Sequence, residues 1–432
     1  MRVELVTIGD ELLIGDTLNG NAAWLGRRLA DNNIHLTRMV VVGDQVDAIG
    51  EAVTEALRRA DAVITTGGLG PTYDDLTREA LAKVAGVAIV RDEAAEARLR
   101  ARVAERGIPL RPMALRMAEL PAGAAPLPNP MGTALPFRVR LDGGPVYALP
   151  GVPVEVRATF TEGVLPELIA HFGEGTTTLR RTLRTAVVWE SAIATRLAPV
   201  EALDDVRLAY LPGAGEVRIR VTASGPDART RLGLAEEMIR DLLGSAVYGA
   251  EDETLDRVVH RLLAERSATV AVAESLTGGL IGGRLTDMPG SSATFAGGVV
   301  AYATELKAGL LGVPADLLAA RGAVHADVAT AMARGVRDRL AATYGLAVTG
   351  VAGPEPQDGR PVGTLHLCVA GPGIELSTRS VRLPLPADRA RVRGLAREIT
   401  VVYALDLLRR SILGLPAARQ WDHEPQDREE RR

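Results

Sequence analysis

Cysteine occurs once in the 432 residues, as Cys368 within the apolar run TLHLCVA. Intrachain disulfides, thiolate zinc sites and iron–sulfur clusters are therefore excluded, and a lone cysteine in such a run reads as a buried core residue. Histidine occurs six times, at 35, 171, 260, 325, 366 and 423, never at metal-ligand spacing. A metal site here would have to be built from carboxylates, which suits magnesium- or manganese-like ions. No apolar run reaches the roughly 18 residues of a membrane helix, and the start of the chain has no cleavable signal pattern. A net charge of −4 and a pI near 6.0 advertise no general attraction to nucleic acid or to a membrane surface. The expectation is a cytoplasmic protein with neither partner.

Lysine is almost as scarce. Of 50 basic residues only Lys83 and Lys307 are lysines. A chain that uses arginine for nearly every positive charge draws attention to a lysine in a candidate site, because lysine can lose its proton and arginine cannot.

What is present is an ordinary globular composition, 47% hydrophobic and 24% charged, long enough for two or three domains. From the start to about residue 172, strand-like runs (VELVTIG, IHLTRMVVVGD, DAVITTGG) alternate with helical patterns (NAAWLGRRLADNN, DAIGEAVTEALRRA). This order predicts a mainly parallel sheet with helices on both faces. The Pro/Gly-rich stretch LPAGAAPLPNPMGTALPF reads as an ordered loop. Residues 173–250 carry a smaller α+β pattern, 251–415 a further unit opening on a helix near Thr254–Arg266, and 416–432 a polar tail expected to be disordered.

Two glycine-rich corners stand out. The first, DAVITTGGLGPTYDDLTREA, places Gly67, Gly68 and Gly70 between a strand and a helix, where backbone N–H groups and the helix dipole suit an anion. It is neither a Walker A loop nor a full dinucleotide fingerprint. Asp10 and Asp44 end neighbouring strands, so with Asp75 they could converge beside this loop and hold a divalent cation. Thr72, Asp74 and Asp75 could equally do no more than cap and charge the helix start. The second corner, AESLTGGLIGGRL, carries Ser275 directly after Glu274. From the turn alone, Ser275 is either a nucleophile or a helix N-cap.

The motifs GDELLIGDTLNGNAAWL, TTGGLGPTYDDLTREA, LPNPMGTALPF and ALPGVPVEV resemble the N-terminal half of the CinA (competence/damage-inducible) family, which is similar to molybdopterin-binding domains. AESLTGG, PGSSATFAGGVVAYATELKAGLLGV, GAVHADVATAMARG, AVTGVAGP and RPVGTLHL resemble its C-terminal nicotinamide mononucleotide deamidase domain, and the middle segment is similar to its small KH-like domain. The middle segment has no basic GxxG clamp, so RNA is not an expected ligand. The resemblance implies three parts: a mainly parallel α/β/α molybdopterin-binding-like domain, a small α+β KH-like domain and an α/β/α deamidase domain. It also implies a homodimer.

For the C-terminal site the resemblance implies Ser275 as nucleophile, Lys307 as general base and Tyr302 as oxyanion stabiliser. Thr349, Arg389 and the turn residues Thr277, Gly278 and Gly279 would hold substrate, without a cofactor. For the N-terminal site it implies an ADP-ribose pyrophosphatase using a divalent metal of the Mg, Mn or Co type, with Asp10, Asp44 and Asp75 as ligands. Asn21, Gly67, Gly68, Gly70, Thr72 and Asp74 would hold the nucleotide. A non-catalytic pterin- or nucleotide-binding module is the alternative for that half. The family's usual cysteine after the serine is here Leu276, which is expected to face the core.

Residue chemistry agrees with a Ser-Lys pair: no histidine is placed for a triad, and amide hydrolysis needs a nucleophile, a base and oxyanion donors. Lys307 would need its pKa lowered from about 10.4 to roughly 7–8. Burial, with Arg284 or Arg389 nearby, is the expected cause. Glu274 reads as either orienting a neighbour or closing a helix-start hydrogen bond, and not as a catalytic group.

Overall fold

The structure, a computed structural model, describes residues 2–105, 107, 109–172, 178–372, 374–383, 385 and 389–417. The predicted tail lies outside these residues except for Pro416 and Ala417. The chain divides into two compact units, Met1–Thr178 and Leu179–Arg432, so the small α+β segment shares a unit with the C-terminal segment.

In the first unit the strands Arg2–Ile8, His35–Val42, Ala62–Thr66 and Gly144–Leu149 pair in parallel. Phe137–Leu141 and Ala125–Pro126 extend this sheet antiparallel at one edge. Successive side chains of a strand face opposite ways, and both faces here are apolar. Val3 and Leu5 join Leu25 and Leu29 of the helix Gly20–Asp31, whereas Val6 and Ile8 join Ile49 and Val53 of the helix Val46–Leu57. Helices therefore cover both sides, as the alternating pattern predicts. The Pro/Gly-rich stretch is ordered, with Asn129 donating to Ala134 O at 2.9 Å and to Glu155 Oε2 at 2.6 Å.

The second unit holds two sheets. The smaller runs in the order Val206–Pro212, Glu216–Ser224, Thr178–Ala186, Val247–Ala250 and carries the helices Glu190–Glu201 and Ala228–Leu243. The larger runs in the order Phe295–Val300, Val270–Glu274, Tyr344–Gly350, Thr364–Gly371, Ile374–Arg382. Its first three strands are parallel and its last two antiparallel. The helices Leu255–Glu265 and Arg389–Ile412 pack on one face through Val259, Leu263 and Leu408, and Ala326–Arg339 on the other through Met332 and Val336. Cys368 is fully buried in that second face, in line with the core reading. Among the described residues no helix is long and apolar enough to cross a membrane.

Candidate functional site

The C-terminal site begins with strand register. Val270–Glu274 and Phe295–Val300 run in parallel with Glu274 level with Val300, and Ala301 N donates to Glu274 O at 2.8 Å. The residues leaving the two strands, Ser275 and Ala301–Tyr302, therefore emerge side by side on the edge where ligands of such sheets bind. The chain then turns into the helix Thr304–Leu311, whose first turn brings Lys307 back under the same edge. Lys307 is 1% exposed, and its Nζ lies 3.2 Å from Ser275 Oγ, 2.7 Å from Ala301 O and 3.5 Å from Tyr302 O. Lys307 is thus a buried residue of its helix and not a solvated one.

Burial pushes the Lys307 amine down to about 8, against the smaller opposing pull of the Asp358 and Glu305 charges. Of the two arginines expected to help, only Arg284 has a described side chain. Arg284 is held by Asp256 at 3.1 Å, and although Arg389 opens a helix, its side chain lies outside the described residues. Peptide carbonyls only accept, so the Ala301 and Tyr302 oxygens take two amine protons. In the neutral form the remaining lone pair can accept the Ser275 hydroxyl proton.

The N-cap reading of Ser275 also fails. The helix after it starts at Leu280 with Gly279 as N-cap and no capping side chain in that position. Its orphan N–H groups are instead satisfied by Glu274, which is 1% exposed. The carboxylate accepts from Gly279 N at 3.0 Å, Ile281 N at 3.1 Å and Gly282 N at 2.8 Å. Glu274 is thus the helix-start acceptor, and those three N–H groups are not available to a ligand. Gly278 and Gly279 turn the chain with φ of +59° and +97°, and Arg397 donates to Thr277 O at 2.9 Å.

A cavity of 290 Å³ opens over the pair, lined by Ser275, Lys307, Tyr302, Thr349 and Arg393 together with the loop 350–357. Leu276 belongs to the core as expected, while one side of it also lines this cavity. Thr349 is buried and donates to Ala323 O at 2.8 Å. Thr277, Gly278 and Gly279 do not line this cavity and shape the turn beside it. Arg393 was not singled out in the sequence, where it is one arginine among several in RARVRGLARE. Its guanidinium lies 2.5 Å from Tyr302 Oη and 2.7 Å from Gly353 O.

The N-terminal corner is built differently. Gly67 and Gly68 adopt φ of +103° and +67°, and a Cβ would sit 2.3 Å from Ile8 O at the first and 2.2 Å from Thr77 Oγ1 at the second. Glycine is needed at both. Gly67 N donates to Leu149 O at 3.1 Å. Gly70 N and Thr72 N each donate to Asp75 at 2.7 Å, and the Thr72 hydroxyl does so as well. Buried Arg78 ties Leu69 O at 2.8 Å and Gly70 O at 2.5 Å. Of the loop N–H groups, those of Gly68 and Leu69 have no acceptor among the described residues. Asn21 donates to Gly151 O at 2.7 Å.

Asp10 and Asp44 do meet, each backbone N–H donating to the other's carboxylate, at 3.0 and 3.4 Å. Partial burial and the neighbouring charges of Asp10, Glu11 and Asp74 raise the Asp44 pKa. Asp75 is not with them, because both its oxygens close the glycine loop. Among the described residues no group of three His, Cys, Asp or Glu side chains is placed to hold a metal ion. As a trio, Asp10, Asp44 and Asp75 do not fit a divalent cation; the facing pair Asp10 and Asp44 is what remains.

Comparison with known proteins divides the chain in the same order. Residues 4–170 match the probable molybdopterin binding domain, 180–249 the damage-inducible protein CinA KH domain, and 252–412 the CinA C-terminal domain. A CinA-like protein of Frankia casuarinae is 52% identical over 96% of this chain and 97% of its own. A putative competence-damage inducible protein of Moorella thermoacetica is 43% identical over 85% and 90%. A crystal structure of the protein CinA, of unknown function, from Thermoplasma acidophilum is 38% identical, covering 39% of this chain and 97% of that one, with a TM-score of 0.36.

Proposed function

The chain belongs to the CinA family, and on that premise we propose that its C-terminal cavity hydrolyses the carboxamide of nicotinamide mononucleotide, giving nicotinate mononucleotide and ammonia. The observation that carries this reading is the buried, easily deprotonated Lys307 amine 3.2 Å from Ser275 Oγ. Ser275 Oγ attacks the amide carbon as its proton passes to Lys307 Nζ. The C–N bond then breaks, and the leaving nitrogen departs as ammonia with the proton returned from Nζ. Water attacks the resulting ester, giving a proton to Nζ; the acyl–Oγ bond breaks, Ser275 regains that proton, and the acid leaves as its carboxylate with its last proton taken up by the released ammonia. Tyr302, at the cavity rim, would donate to the oxyanion, and the arginine-bearing wall suits an anionic substrate.

Ammonia release by the native chain tests the reading, set against Ser275→Ala and Lys307→Arg. Turnover lost by orders of magnitude in both supports it. Turnover retained by Lys307→Arg, which keeps the charge but removes the dissociable proton, sinks the Ser-Lys assignment.

For the N-terminal unit the reading is ADP-ribose hydrolysis to AMP and ribose 5-phosphate. It is supported by the two free loop N–H groups beside the Asp10–Asp44 pair, where a divalent ion brought with the pyrophosphate would be held. Non-catalytic binding of a nucleotide or pterin is the competing reading. AMP release that chelation and Asp10→Asn both abolish favours the enzyme; binding without turnover favours the module. With these substrates the protein would act in pyridine-nucleotide turnover; the family resemblance implies a homodimer, and the composition suits the cytoplasm.

A further inference from the structure

Tyr302 reaches the cavity from its rim with a side chain 57% exposed, so its own packing does little to fix it. What fixes it is Arg393. A guanidinium carries only donors, so in the 2.5 Å contact between Nη2 and Tyr302 Oη the phenol oxygen must accept. The phenol proton therefore points elsewhere, and the Ser275–Lys307 cavity is the space that Tyr302 lines. The other terminal nitrogen of Arg393 donates to Gly353 O at 2.7 Å. One planar fork thus spans the tyrosine that follows strand Phe295–Val300 and the loop that follows strand Tyr344–Gly350. The adjacent positive charge also strengthens the phenol as a donor.

We propose that Arg393 is a positioning residue: it holds Tyr302 as an oriented hydrogen-bond donor to the oxygen of the carbonyl attacked by Ser275. The inference rests on the amide-hydrolysis reading of this cavity. Two plainer roles compete, a strut between loops and a direct contact with the anionic end of the substrate.

The test uses the full chain with Arg393→Met, Arg393→Lys, Tyr302→Phe and the Arg393→Met/Tyr302→Phe double variant. Substrates are nicotinamide mononucleotide and the corresponding riboside, which lacks the phosphate. Arg393→Met is expected to lower kcat about 10–100-fold on both substrates with KM changed less than about threefold, and Arg393→Lys to recover part of the loss. On the Tyr302→Phe background the same change should cost less than about threefold more, because the group it orients is gone. Losses that multiply in the double variant overturn the proposal. So does a loss carried by KM for the mononucleotide and absent for the riboside, which marks a phosphate contact instead.

A readout free of substrate is the rate at which an alkyl fluorophosphonate labels Ser275. There the Oγ–P bond forms, fluoride leaves, the serine proton goes to Lys307, and the phosphoryl oxygen takes the oxyanion's place. If the native chain turns over no mononucleotide yet labelling slows equally in Arg393→Met and Tyr302→Phe, the substrate reading fails and this inference stands. Labelling at the native rate in both variants overturns it.

Discussion

The two glycine-rich corners of this chain use one device in opposite order. Each follows a fully buried strand, Ala62–Thr66 or Val270–Glu274, and each has two or three of its N–H groups gathered by a single carboxylate. At the first corner the acid comes after the glycines. Asp75 folds the loop back on itself, and Thr72 spends its N–H and hydroxyl on that closure. At the second the acid comes before the glycines. Glu274 reaches forward from the strand end to Gly279, Ile281 and Gly282, which relieves the next residue of any capping duty. Ser275 is thus left with a free hydroxyl 3.2 Å from the Lys307 amine, as the proposed hydrolysis requires. A carboxylate ahead of the turn frees a side chain for chemistry; one behind it ties the turn shut.

The largest effect that would sharpen this contrast is on the freed side. Lys307→Arg should lower kcat for ammonia release by on the order of 10³–10⁴, since the residue that replaces the base cannot give up its proton. Next come the two carboxylates. Glu274→Gln and Asp75→Asn each place an amide against N–H donors, and each should cost about 2–3 kcal/mol in denaturant unfolding. Glu274→Gln should also slow ammonia release by misplacing Ser275. If Asp75→Asn unfolds like the native chain, the closed-loop description of the first corner breaks.

Smaller again is the pH dependence. With the amine pushed down to about 8, kcat/KM should rise tenfold per unit from neutral pH and level off above about 8. A flat profile would mean that Lys307 is not the titrating base. The smallest effect concerns stability. A lysine whose folded pKa is lowered penalises the folded state while protonated; the penalty is full below about pH 8 and fades by about pH 10.5. Lys307→Met should therefore stabilise the inactive protein at neutral pH by about 1 kcal/mol, after the loss of the Ala301 hydrogen bond is offset. That gain should vanish at high pH, as measured by melting across the range.

Much of this was legible in the residues. Strand and helix alternation marked Arg2–Ile8, Ala62–Thr66 and Val46–Leu57, because a sheet covered on both faces demands runs apolar on both faces. The rarity of lysine pointed to Lys307. Its pairing with Ser275 comes from the family resemblance and not from spacing, which says nothing about two parallel strands ending level. Burial leads the lowering of its pKa, as the residues suggest, whereas Arg284 is spent on Asp256. Arg393 gave no signal in an arginine-rich helix. Asp75 sat in a motif that suits a ligand as well as a latch, and only the direction of its oxygens separates the two.

The same scarcity of lysine has a practical side. A reagent that acylates amines meets two side-chain targets of opposite character. Lys83 stands in solvent, held only by an exposed pair with Asp47 at 2.5 Å, while Lys307 is sealed beneath the strand ends. At short exposure a dye or crosslinker should therefore mark the Lys83 side chain well ahead of that of Lys307, leaving the cavity amine untouched.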